Sequence, residues 1–499
     1  MTDTSATAHN PPERCDLLIR GGTVVDGTGG PPVAADVAIC DDRIAAVGNL
    51  GGLAADDEIE AADLVVAPGF IDVHTHDDRL LLVDPDVTPK ASQGVTTVVV
   101  GNCGVSIAPY GRAGAPPPPL NLLLRDDDRR FPGVAAYLDC LDRAPAALNS
   151  AFLVGHTTLR AEVMGDDLTR PAHEDEIATM RELLAEGLGA GAIGLSSGLF
   201  YPPAQAAPAS EVAALAELLA PVGGVLASHI RDEGDDVMAA IDEAAEIGRQ
   251  AGARLQISHH KAVGRANYGR VRETLARIDE IRERQPIGLD AYPYTAGSTV
   301  LLPDLAAAAE RVLIAWSEAL PDAVGRDLAD VAAELGCDER EACDRLQPAG
   351  AVYFAMSEED VRRVLAYPRT VIGSDGLPGD VRPHPRLWGT FPRVLGHYVR
   401  EVGLFALEEG VHRMTGLPAS EFGLVDRGEV RPGAFADLVL FDPGTIEDRA
   451  TYDDPMRPAA GIAAVFVNGR PVWRNGTPTG ERPGRAIRRA GAPRTRTAN

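Results

Sequence analysis

The sequence predicts a (β/α)8 barrel of the TIM type, with a small β-sandwich built from both chain ends and an inserted lid segment. Three observations predict it. Eight short apolar runs recur along the middle of the chain, at 69–76, 96–104, 151–158, 192–199, 224–230, 254–260, 287–294 and 369–376. Amphipathic helical patterns separate most of them, as at 210–222 and 235–252, and repeated strand–helix alternation is the pattern of a closed parallel barrel. Both chain ends read instead as short alternating strands with tight turns.

The N-terminal segment CDLLIRGGTVVDG alternates and stops at a Gly turn. ADVAICDDRIAAVG is a hairpin about Asp41-Asp42-Arg43, and DLVVAPG is a further strand. The same texture returns in ADLVLFDP and in AAVFVNGRPVWRNG, whose Asn468-Gly469 pair is a hairpin turn signal. Residues 14–67 and 426–478 are therefore assigned to one sandwich, and 68–425 to the barrel. Residues 300–350 hold helix patterns such as ADVAAELG and EREACDRL. An insertion of that length beside a barrel mouth is the usual place of a lid or substrate-binding element. Residues 1–13 are polar, and after Glu481 every charge is basic; 1–13 and 481–499 read as flexible tails. Pro116 to Pro119 form a stiff surface loop.

Composition narrows the partners. The chain has 499 residues, 45% of them hydrophobic, and a net charge of −26. That acidity argues against nucleic acid and against anionic membranes. Six cysteines without a CxxC pair read as reduced thiols of a cytoplasmic protein. The N-terminus lacks the charged and apolar segments of a signal peptide, and no apolar run is long enough to span a bilayer. A cytoplasmic enzyme with a small-molecule partner is expected, with homo-oligomerisation left open.

Six residues of metal-binding type end the apolar runs. FIDVHTH carries His74 and His76, GNCG carries Cys103, ASHI carries His229, ISHHK carries His259 and IGSDG carries Asp375. Strand C-termini converge on one mouth of a barrel, so the six should meet. Residues i and i+2 of a strand point the same way, which lets both imidazoles of His74-Thr75-His76 reach one ion. The N, S and O donors suit zinc. Asp375 can also accept a proton from water. His260 points to the opposite side from His259, and His156 reads as structural or supporting. Lys261, Arg386, Tyr201, Tyr292, Tyr294 and Ser298 form a second, cationic and hydroxylic group. Two cations beside amide chemistry suggest a substrate carboxylate.

Two motif matches fail on context. GAGAIG fits GxGxxG but enters a strand where a dinucleotide site opens a helix. GLSSG fits GxSxG at Ser196, yet LFYPP follows where a nucleophile elbow needs a helix.

From APGFIDVHTHDD to VFVNG the chain resembles the amidohydrolase superfamily. Within it, GVTTVVVGNCGVSIAP, IGLSSGLFYPP, SHIRDEG, LQISHHK, DAYPYTAGST and IGSDGLPGDVRPHPRLWGTFPRVLGHY are similar to the N-acyl-D-amino-acid deacylases, over roughly residues 14–475. The resemblance implies zinc-dependent hydrolysis of N-acyl-D-amino acids to a free D-amino acid and a carboxylate. It implies a tightly held zinc on Cys103, His229 and His259, and a second, weaker position framed by His74, His76 and Asp375. It implies that Lys261, Tyr201, Tyr292, Ser298 and Arg386 hold the substrate, with Asp375 catalytic, and that the insertion is a mobile lid. Gly379 departs from the family, in which many members have His there. Rival expectations are cyclic amide or ureide opening, deacylation of N-acyl-D-glutamate or aspartate, and an inactive barrel used for assembly.

Overall fold

The computed structural model describes residues 13–489 and 491. Eight parallel strands form the barrel: Phe70–Asp72, Val95–Val100, Asn149–Gly155, Gly194–Gly198, Val225–His229, Arg254–Ile257, Ile287–Ala291 and Thr370–Ile372. Each pairs in parallel with the next in sequence. A parallel bridge between Thr75 and Gly376 joins the ends of the first and last strands. The strands are almost wholly buried, because helices cover them outside and their side chains fill the inside. Helices such as Glu174–Ala190 and Val237–Ala251 lie between them.

The observed strands are shorter than the apolar runs. Their polar last residues lie in the turns just beyond the ladder, except His229, which ends its strand in register with Gly198. His156 differs from expectation: it is the first residue of helix His156–Met164, since the chain turns at Gly155, where a side chain would collide with the backbone of Gly104 and Val105.

Strands from both chain ends build one nine-stranded sheet. Strand Leu438–Phe441 pairs antiparallel with Val65–Pro68, which ties the two ends together. Ile39 and Ile44 share a core cluster with Leu440 and Phe466, so the sheet curls until its halves face each other as sandwich layers do. Both predicted turns form: Asp41 closes one hairpin with φ 53°, and Asn468 and Gly469 close the other with φ 48° and 78°, the left-handed pair that the twisted hairpin demands.

The insertion is larger than expected and has its own core. Strands Ala296–Val300, Arg311–Ser317 and Ala349–Phe354 form an antiparallel sheet. Helices Leu328–Leu335 and Glu339–Leu346 bury Leu328, Val331, Cys343 and Leu346 against it. Its first strand delivers Ser298 to the barrel mouth.

The C-terminal tail differs from expectation over residues 486–489. Ala486–Ile487 pairs in parallel with the third barrel strand, and Arg488 reaches Asp142 at 2.6 Å. The basic residues thus bind an acidic neighbour surface. Of the expected tails, residues 1–12, 490 and 492–499 lie outside the described residues. No helix among the described residues is long and apolar enough to cross a membrane.

Candidate metal centre

The turns after the strands bring the donors together. His74 Nε2 lies 3.1 Å from Cys103 Sγ and 3.5 Å from Asp375 Oδ1. Cys103 Sγ lies 3.4 Å from His259 Nε2, and that nitrogen is 3.1 Å from His229 Nδ1. His76 Nε2 is 3.2 Å from Asp375 Oδ1. Donor atoms of His74, Cys103, His259 and Asp375 all lie within 4.8 Å of one another, as do those of His229, Glu233 and His259. The sulfur therefore sits between the His74 side and the His259 side, closer to the first.

Three of these residues hold unusual backbone. Cys103, His259 and Asp375 have φ of 54°, 35° and 51°. Left-handed backbone at a non-glycine residue costs free energy and marks sites where the fold imposes an aim on a side chain. Gly101 and Gly104 flank Cys103 with φ of 83° and 76°, in positions where a β-carbon would strike neighbouring strands.

Supporting side chains fix each donor. Asp290 Oδ1 lies 3.0 Å from His74 Nδ1 and accepts the His259 amide at 2.9 Å, which points His74 Nε2 at the sulfur. Asp72 accepts the amides of His74 and Ser374, and Lys90 bridges Asp72 and Ser374 from a fully buried position. That network ties the first barrel strand to the last beneath the site.

The electrostatics favour an anionic sulfur. Burial by itself would raise the Cys103 thiol; His74 and His259, with hydrogen bonds from the surrounding imidazoles, overcome it and hold the group well below its ordinary value. Burial also opposes ionisation of Asp375, but Arg386, His259 and His74 hold it well below the usual carboxylate range. Burial and the His259 charge keep His229 on the neutral side. Its Nε2 is buried without a hydrogen-bond partner. A thiolate, a carboxylate and converging imidazoles, crowded and with His229 Nε2 unsatisfied, are the donor types of a divalent N/S-seeking metal such as zinc.

Beside this cluster opens a cleft lined by His229, His259, Lys261, Tyr292, Asp375 and Arg386. Arg386 donates from Nη2 to the Ser298 carbonyl and meets Asp375 Oδ2, both at 3.0 Å. Its Nε and Nη1, and the Tyr292 hydroxyl, are buried without partners. Lys261 Nζ lies 2.6 Å from Glu233 and 2.8 Å from His259 Nδ1. Tyr201 rests against His229 and shares its hydroxyl with Thr299. Ser298 lines the cleft but donates its hydroxyl to Ala351. Tyr294 does not line this cleft; it packs on His384 and Arg393 and lines a neighbouring cavity with His259, Lys261 and Tyr292. His260 points away to Thr274, as expected.

Sequence reasoning missed Glu233, Asp290, Asp72 and Lys90. Asp290 had a signal, a lone acid in the apolar run GLDAYPY. Lys90 had none, since TPKAS reads as a surface turn.

The amidohydrolase family model matches residues 57–473. The chain is 53% identical to the D-aminoacylase of Alcaligenes xylosoxydans xylosoxydans, over 96% of this chain and 98% of that one. It is 49% identical to the N-acyl-D-aspartate deacylase of the same organism, over 98% and 97%. The crystal structure of the Bordetella bronchiseptica N-acyl-D-glutamate deacylase, complexed with zinc and a phosphonate mimic of the tetrahedral intermediate, superposes with a TM-score of 0.92 at 47% identity, covering 95% of this chain and all of that one.

Proposed function

The chain belongs to the amidohydrolase family, as a member of its N-acyl-D-amino-acid deacylases, and on that premise we propose how its own residues divide the work. The protein hydrolyses the amide of N-acyl-D-amino acids, and zinc is its metal. Cys103, His229 and His259 hold the tight ion, and His74, His76 and Asp375 frame the weaker position. The bound metal supplies polarisation of the scissile carbonyl and of water.

The chain's residues do the rest. Asp375, kept ionised by Arg386, accepts the proton of the attacking water as the new C–O bond forms. It returns that proton to the nitrogen as the C–N bond breaks, giving a carboxylic acid and an amine, and the acid's proton passes to the amine to leave carboxylate and ammonium. Arg386 offers Nε and Nη1 to the substrate α-carboxylate, with Lys261 and the Tyr292 hydroxyl beside it. The unpartnered nitrogens of Arg386, next to Asp375, are the observation that carries this reading: buried donors are seldom left unmet unless a ligand meets them. Two fixed points, carboxylate and amide, leave the side chain one direction, which selects the D-enantiomer. That direction is lined by Phe200, Val263, Leu305, Ala355 and Met356. The cleft's cations are Lys261 and Arg386, already committed, so apolar D-side chains are preferred to D-glutamate or D-aspartate. Residues 296–354 cover this cleft as its lid. With free thiols and no membrane-spanning helix among the described residues, the enzyme works in the cytoplasm.

The test is a paired panel of N-acetyl-D- and N-acetyl-L-amino acids, acidic and apolar, with five-membered cyclic ureides. Strong preference for apolar D-substrates is expected. Equal rates on both enantiomers, or faster ring opening, would overturn the carboxylate clamp.

A further inference from the structure

The scissile amide has two ends, and the structure offers a second cavity for the other one. Next to His76 lies a groove that shares no lining residue with the cleft holding Arg386 and Lys261. Its walls are aliphatic: Leu80, Val83, Leu122, Leu123 and Pro378. Val83 is 53% exposed, while Leu123 is 3% exposed and His76 5%, so the groove runs from solvent to the metal-ligand candidates. Two arginines reach it, but Arg79 is paired with Asp128 at 2.7 Å and Arg125 donates to the Gly379 carbonyl at 2.9 Å. Gly379 itself leaves the wall open; a β-carbon there would lie 3.0 Å from the Leu122 carbonyl oxygen.

We propose that this groove is the acyl-chain subsite and that it takes unbranched aliphatic acyl groups longer than acetyl. The proposal rests on the deacylase reading above and adds the identity of the acyl group. Complementarity carries it. The cation-lined cleft matches the end of the substrate that bears a carboxylate. The aliphatic groove matches an end that bears only methylenes. His76 lines the groove and lies 3.2 Å from Asp375, which lines the cleft, so the two cavities meet at the metal-ligand candidates. A chain entering the groove displaces water from leucine and valine side chains, which favours each added methylene until Val83 is passed.

The test uses the zinc-loaded full-length enzyme and two variants, Val83→Asp at the groove and Leu305→Asp in the cleft. Each is assayed on N-acetyl-, N-butanoyl- and N-octanoyl-D-leucine and titrated calorimetrically with acetate and octanoate. In the wild type, kcat/KM should rise roughly fourfold per methylene buried. In Val83→Asp the octanoyl-to-acetyl ratio should fall about tenfold or more, and octanoate affinity should fall with it, because a charge meets the chain. Leu305→Asp should change that ratio by less than about twofold and weaken discrimination between D-leucine and D-alanine instead. A ratio that collapses in Leu305→Asp and not in Val83→Asp would put the acyl chain in the cleft and overturn the assignment. Were no acyl-D-amino acid turned over, the deacylase reading would fall alone, and octanoate affinity with and without Val83 would still decide the groove.

Discussion

Two buried polar clusters in this barrel differ in almost every physical respect. One is the His74, Cys103, His259 and Asp375 group at the mouth. The other is His156, Arg160 and Glu211, on helices His156–Met164 and Ala209–Ala216. Glu211 lies 3.0 Å from His156 Nε2, pairs with Arg160 and accepts the Ala172 amide at 3.0 Å. An anion there meets a cation and further donors on regular helical backbone. The mouth cluster instead crowds acceptors against each other on left-handed backbone; each cluster leaves one imidazole nitrogen unmet, His229 Nε2 at the mouth and His156 Nδ1 in the other. A buried anion matched by a cation on regular backbone holds a fold together. Donors that converge without satisfying one another await a ligand.

The largest effect that this contrast predicts is at the sulfur. Cys103→Ala should lose tight zinc and turnover together, read by metal analysis after dialysis and by kcat. Full zinc with full rate in that variant would place the metal elsewhere. Glu211→Gln should do the reverse. It leaves Arg160 buried without its counter-ion and should cost about 3–5 kcal/mol of stability by denaturant titration, while zinc content and kcat per folded molecule stay near wild type. Zinc loss there would mean that the two clusters are one unit. Asp375→Asn should cut kcat roughly 10²-fold or more, the scale of a lost general base, yet keep the tight zinc. Near-wild-type kcat would end the proton-transfer role. Arg386→Ala should lower kcat/KM for free-carboxylate substrates at least about tenfold more than for their neutral amide analogues, the worth of a charge-assisted hydrogen bond. Equal losses would remove the clamp.

The smallest effect is in the pH dependence of stability. Burial pushes the Glu211 carboxyl up, but His156, the Ala172 amide and Arg160 together bring it down to about 2 from 4.5. A depressed carboxylate contributes stability above its unfolded value and loses it as pH falls through the folded one. Wild type should therefore lose stability from about pH 4.5 toward pH 2 more steeply than Glu211→Gln, measured by denaturant midpoints across that range. Parallel curves would show that Glu211 carries no such linkage.

Much of this was legible in the chain. Period-2 and period-3.6 patterning is local, so eight strands and both hairpin turns could be placed without tertiary information. Strand-end histidines, Cys103 and Asp375 stood out because a polar residue ending an apolar run has few structural reasons to be there. Glu233 was hidden in SHIRDEG, where an acid after a strand looks solvated. Lys90 was hidden because only the barrel's closure buries it against Asp72 and Ser374.

The sequence by itself determined the fold class, the donor types and the class of chemistry, since these follow from local periodicity and from what each side chain can bind. Tertiary structure alone decided the rest. It set which side of the cluster the sulfur approaches, spent the Ser298 hydroxyl on Ala351, stacked Tyr294 on Arg393, and opened one cavity toward cations and another toward leucines. Those outcomes depend on where strand ends far apart in sequence meet, and only closing the barrel fixes that geometry.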